Sequence, residues 1–328
     1  MSRRVVGIAV ATIALFAACD RNQTVATGDS GVLSSPGAAN DSLRPPVGTG
    51  WDVAAGPFLV LPTVDGGQEA GSLVRPDATD LSVGDTAGLG AVASNRLELF
   101  SRGALVGEAT LSIEKAAGLD SGCTAWPIAR LGGMARSGLA QGSGVATPST
   151  NFSGSHSWTA AFVKGRVTQV ALDSIEGLSP RDSATLAVNI SRLASGLTDD
   201  TVTTFRGLPF VVLRAYRGRL AEQSFVVTTL VRRVNQEDAP REERLVLVID
   251  GNLATPASWT IGWHERASGN EEELVVSEPL LAFQLKSGTR VHLLFGRDDG
   301  EALSAAVLVR AGPTWKILWE SALAGCDR

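Results

Sequence analysis

A mainly β fold with a single amphipathic helix is what this chain of 328 residues predicts, and three observations carry the expectation. Short strand-like runs of six to eleven residues recur through its second half, parted by turn signals built on Gly, Asn and Asp. Glycine is abundant, at 36 residues, while charged residues make up 19%, a balance that suits tight turns around a packed core. Only residues 179–197 sustain helical spacing of apolar side chains.

The chain opens on a basic flank, Arg3 and Arg4, followed by 14 uncharged, mostly apolar residues at 5–18. A helical span of the hydrocarbon core needs about 20, so the run predicts an export signal over residues 1–18 rather than a permanent span. Two alanines and then Cys19 close it. The stretch FAAC (16–19) resembles the lipobox of bacterial lipoproteins, with Phe16 where that family usually has Leu. The resemblance covers the signal alone. It implies cleavage before Cys19, a lipidated (palmitate-type) thiol and a place in the cell envelope, facing the periplasm or the exterior. Each buried methylene contributes about 0.8 kcal/mol, so two or three acyl chains would hold a body at a membrane surface firmly. Losing Arg3 and Arg4 with the signal would leave 27 bases against 34 acids and take the net charge from -5 to -7. Such a body has no basic surplus with which to neutralise phosphates, so no nucleic-acid partner is expected.

Residues 19–50 then read as the lipidated cysteine and a flexible tether, because Ser, Gly, Ala, Asn and Pro dominate and cannot bury enough apolar surface to offset the ordering entropy. GDSG (28–31) inside it copies part of a serine-protease motif, but no histidine precedes Ser30 and the segment is a linker. Residues 51–178 form an N-terminal β-rich part, with strand-like runs PFLVLP (57–62), RLELF (96–100), ALVGEATLSI (104–113), SWTAAFV (157–163) and GRVTQVAL (165–172). Residues 179–328 form a helix followed by an antiparallel meander, either as one unit with 51–178 or apart from it. The helix has Ser179 as N-cap, Pro180 at its first position and Asp182 completing an S-x-x-D box. Leu186, Ile190, Leu193 and Leu197 form its apolar stripe, and Gly196 its stop.

Eight strand-like runs follow: PFVVLRAY (209–216), SFVVTTLVRRV (224–234), RLVLVI (244–249), SWTIGWHER (258–266), LLAFQL (280–285), RVHLLF (290–295), ALSAAVLVR (302–310) and TWKILWES (314–321). Turns are expected at Arg217-Gly218, Gly251-Asn252, Ser287-Gly288, Asp299-Gly300 and Gly312-Pro313. Tight connections make an antiparallel meander, as a curved sheet or a barrel-like body. No fixed-period repeat is visible, which argues against a solenoid or regular propeller.

The chemistry-bearing residues are few. With Cys19 assigned to lipid, Cys123 and Cys326 remain, and in an oxidising compartment the simplest use of a pair is a disulfide. His156, His264 and His292 stand on separate segments without ligand spacing, so neither a metal site nor a cofactor is expected. No G-x-S-x-G, H-E-x-x-H, P-loop or dinucleotide fingerprint occurs. The triple acid Glu271, Glu272, Glu273 and the pair Asp298, Asp299 read as solvated turns. One pattern repeats: WTIGW (259–263) and WKILW (315–319) are both W-x-I-x-W. Strand alternation would put Trp-Ile-Trp on one face, either as core or, through Trp259, Trp263, Trp315 and Trp319, as a stacking platform for sugar rings; the intervening Ile favours core. The functional expectation is a cell-envelope lipoprotein that binds or supports rather than catalyses, with envelope polysaccharide or an envelope protein as partner. An envelope hydrolase or an assembly subunit are the alternatives.

Overall fold

The computed structural model describes residues 51–52, 55–62, 70–74, 96–101, 104–112, 128–136, 158–197, 203–221, 223–234, 240–252, 255–298 and 302–325. The protein is mainly β with one α-helix among these residues, as composition and turn spacing predict. Six strands, β1 (Phe58–Pro62), β2 (Ala70–Val74), β3 (Arg96–Ser101), β4 (Ala104–Ser112), β5 (Ile128–Arg136) and β6 (Trp158–Val163), pair antiparallel in the order β1-β2-β5-β4-β3-β6. The last of them pairs back onto β1, with Phe58 opposite Phe162, so the ladder forms a ring. Its shortest seams are the two made by β2, with β1 and with β5, each three residue pairs long.

The eight strands expected after the helix are all present, but they divide into two sheets. One is the meander β9 (Val211–Leu220), β10 (Gln223–Val234), β11 (Arg241–Asp250) and β12 (Thr260–Asn270), with β8 (Leu172–Ser174) added beside β9. The other is β13 (Glu278–Leu285), β14 (Val291–Asp298), β15 (Ala302–Ala311) and β16 (Thr314–Gly325), with β7 (Val167–Val170) added beside β13. Residues 167–174 are thus one extended stretch that serves both sheets, changing allegiance at Ala171. In each meander the first strand is bulged at its third residue, Leu213 in β9 and Leu280 in β13, and the fourth strand is bulged just before its second motif Trp. One plan is therefore used twice.

The layers follow from strand alternation. Helix α1 (Pro180–Ser195) covers the outer face of the β8–β12 sheet, burying Leu186, Ile190 and Ala194 against Val226, Leu230, Leu245 and Leu247. Leu193 and Leu197, expected on that stripe, pack at its margin only half-buried, because the helix meets the sheet along the four-residue ridge 186–190–194. Its start is as expected: Ser179 Oγ accepts from the Asp182 amide at 3.2 Å. Phe225, Val227, Val246 and Val248 fill the space between the two sheets with Val291, Leu293, Phe295 and Leu308. The ring of strands packs on the remaining face of the second sheet, where Phe58, Phe162, Phe283, Leu294, Val307 and Trp319 meet. β11, covered on both faces, is buried along nearly its whole length, which is why Leu245–Ile249 is an unbroken apolar run and why its acids Glu242, Glu243 and Asp250 are buried too.

One expected turn is displaced. Arg217-Gly218 lies inside β9, not at its end, and the chain reverses after Leu220 with Ala221 at φ 52°. Gly218 is there because the ring of Phe225 lies over its Cα, in the space any side chain would take. Gly251-Asn252, Ser287-Gly288 and Gly312-Pro313 do sit between strands. Asp299-Gly300 lies outside the described residues, flanked by the pair Asp298↔Leu303.

Candidate functional site

The two W-x-I-x-W strands are the outermost strands of the two open sheets, β12 and β16, and they lie against each other along one side of the sandwich. The single-face expectation fails in both. In β12 the register skips Gly262, so Trp259 and Ile261 face α1 while Trp263 faces the second sheet, its ring 5.5 Å from Phe295. In β16 it skips Leu318, so Trp315 lies between the sheets, 5.4 Å from Phe225, while Trp319 points to the ring of strands, 6.1 Å from Phe58. An extra residue in one strand of a ladder reverses the alternation beyond it. Trp259, Trp315 and Trp319 are buried; Trp263 is half-buried, and Ile317 is 41% exposed.

The bulge at Gly262 also makes a polar site. A Cβ on residue 262 would stand 2.5 Å from Trp315 Cδ1, so only glycine lets the indole cross over β12. Having crossed, Trp315 Nε1 donates to Asp250 Oδ2 at 2.9 Å. Arg310 Nη2 lies 3.1 Å from Asp250 Oδ1, and Arg310 Nη1 donates to Gln223 Oε1 at 2.8 Å. Burial raises the Asp250 pKa, and outweighs the opposing pull of Arg310 and the indole N–H.

Two further ion pairs join the same sheets. Arg297 of β14 binds Glu265 of β12, and Arg214 Nη1 of β9 lies 3.2 Å from Glu278 Oε1 of β13. On the helix side Glu243 receives both Arg232 and Arg266; the Arg232 guanidinium also donates to Phe205 O at 2.9 Å and lies 4.8 Å from the centre of the Phe210 ring. The four buried acids among the described residues, Glu242, Glu243, Asp250 and Glu265, each face an arginine. Asp250 and Glu265 meet arginines of the opposite sheet and so fix one layer against another, whereas Glu242 and Glu243 are held within their own sheet; in each case losing the partner would strand a buried charge. Sequence reading missed these braces. The only signal they leave is a charge at the end of an apolar run, as at Asp250 after LVLVI, and that does not name its partner.

The remaining candidates are dispersed. His264 is exposed on β12 and His292 is buried on β14, in different sheets, while His156 lies outside the described residues. Glu271–Glu273 is a 3-10 turn whose first acid pairs with Arg233 at 3.8 Å. Cys19, Cys123, Cys326, Ser30 and Asp299 lie outside the described residues. Among the described residues no group of three His, Cys, Asp or Glu side chains is placed to hold a metal ion. Comparison with protein-family models, with curated proteins and with solved structures finds no match to this chain.

Proposed function

We propose that the protein is a bacterial cell-envelope lipoprotein, held at a membrane by lipid on Cys19, whose layered β body is a non-catalytic binding or structural module for an envelope partner. The observation that carries the reading is the ordered N-terminal sequence: a basic flank, a 14-residue apolar run, Ala17-Ala18-Cys19 and a polar tether. Among the described residues no helix is long and apolar enough to cross a membrane, and a lipid anchor needs none. The body adds support of a second kind: two of its buried acids, Asp250 and Glu265, face arginines of the opposite sheet and tie the two layers together, an arrangement suited to a rigid scaffold. With three motif indoles in the core, only Trp263 is left with a part-exposed ring to stack on a sugar, so a protein surface is the better partner than a glycan.

Fractionation of cells producing the native chain and Cys19→Ala, with an alkyne fatty acid supplied for labelling, tests the anchor. The native protein should take up label and pellet with membranes, and the variant should do neither. Equal solubility of the two would end the lipoprotein reading.

A further inference from the structure

We propose that the buried imidazole of His292 is an acid-sensitive latch that holds the strap of residues 51–52 and 55–57 on the second sheet and releases it when the ring is protonated. The strap leads into β1, and Trp51 is its anchor. Its indole is buried, donates to Gly56 O at 3.1 Å, and touches Phe58 (5.5 Å between ring centres), Phe283 (6.4 Å) and the edge of His292 (6.4 Å). Asp52 accepts a hydrogen bond from Ser287, and its carbonyl takes the Ala55 amide at 2.8 Å.

His292 forms the floor of this seat. It is 5% exposed, lies nearly parallel to Phe283 with ring centres 5.1 Å apart, and its Nδ1 has no hydrogen-bond partner. The elements packed about it offer a cation little. Phe283 faces it from β13, its neighbour on β15 is Val309, and β1 and β6 contribute Phe58 and Phe162 to the same cluster. The charged group acting on the ring is Arg290, of like sign; the strap's acid, Asp52, is engaged with Ser287. Attraction of an imidazolium to the Phe283 face offsets part of the lost hydration, and the carbonyls of Arg290 and Phe283 also favour the charged form. Burial outweighs them and lowers the pKa to about 4.

The consequence has a definite sign. The strapped state resists protonation until about pH 4, whereas a released imidazole takes its proton near the ordinary value of about 6.5. Between those limits the released state binds more protons, so the strap is held fully above pH 6.5 and loses hold as the pH falls toward 4. The released-to-strapped ratio rises by up to roughly 300-fold across that window, the antilogarithm of the difference. Release uncovers Phe283 and Phe58 on the flank of the ring of strands, an apolar surface that is otherwise closed.

The test uses the full chain labelled with 5-fluorotryptophan, with the Trp51 resonance assigned from Trp51→Phe and that of Trp319 as an internal control. Between pH 7 and pH 4 the Trp51 resonance should move reversibly toward its solvent-exposed position, and Ala55 amide protection should fall by up to that factor, while Trp319 stays put. His292→Phe keeps an aromatic floor without a titrating group and should hold Trp51 in place throughout; His292→Leu serves if the larger ring disturbs folding. A Trp51 signal indifferent to pH, the same pH response in the substituted chain, or joint movement of Trp51 and Trp319 would each overturn the latch.

Discussion

At Asp250 three demands meet in one carboxylate: it must be buried, accept the Trp315 indole and face Arg310. Gly262 makes the meeting possible, so Gly262→Ala should force the indole off the strand and cost about 1–3 kcal/mol in urea unfolding. A single surface substitution, by contrast, usually shifts stability by no more than about 0.5 kcal/mol. Asp250 also carries a pH signature. Its folded pKa is raised, so its share of stability is present below the ordinary value and is lost as pH rises through the raised one. Asp250→Asn should therefore gain on the native chain as pH is raised from 3.5 toward 7, and a relative gain on acidification would contradict the assignment. His292 has the opposite dependence, so measurements on the two single variants separate the two titrations.

Single elements show how far local sequence carries. Trp319→Ala should cost about 3–5 kcal/mol, as for any large buried aromatic, whereas Trp263→Ala, half-buried at an edge, should cost clearly less. If Trp263→Ala keeps its stability but loses retention on insoluble peptidoglycan, a glycan partner replaces the protein partner proposed above. Ser179→Ala should cost about 1 kcal/mol, the usual value of an N-cap. The helix was legible because its cap, first-turn proline and apolar spacing are local, and β9–β16 because each carries its own apolar run between turn residues. β2 and β5 were not: AGSLV and IARLGGMAR have few bulky side chains in alternation, and the ladder they share joins segments far apart in the sequence. The two bulges were not legible either. A skipped residue depends on what the neighbouring strand offers, and nothing in W-x-I-x-W says that Gly262 and Leu318 stand out of register. That one omission turns a flat aromatic row into four indoles directed into three different cores. The doubled plan escaped for a related reason: its first strands begin 67 residues apart (211 and 278) and its Trp motifs 56 apart (259 and 315), so no single period exists.

At the largest scale the described residues of the body form a stack: helix, sheet, sheet and ring of strands, with ion pairs between the two sheets and apolar clusters at every interface. Cys123 falls in the β4–β5 connection of the ring and Cys326 directly follows β16 of the second sheet. A bond between them would stabilise by roughly 5 kcal/mol in the chain-entropy model and make ring and sheet unfold together. Thiol labelling of unfolded, unreduced protein should find neither cysteine free; two reactive thiols would exclude the bond. The stretch 167–174 has a consequence for the order in which the stack assembles. Pairing Leu172 with Gly218 closes 46 residues of chain, whereas pairing Val170 with Ala282 closes 112. The longer closure costs roughly 0.8 kcal/mol more in loop entropy, so the β8–β9 contact forms first. Once it has, Val167–Val170 is already tethered beside β13, so the edge of the second sheet gains a strand without closing the longer loop afresh.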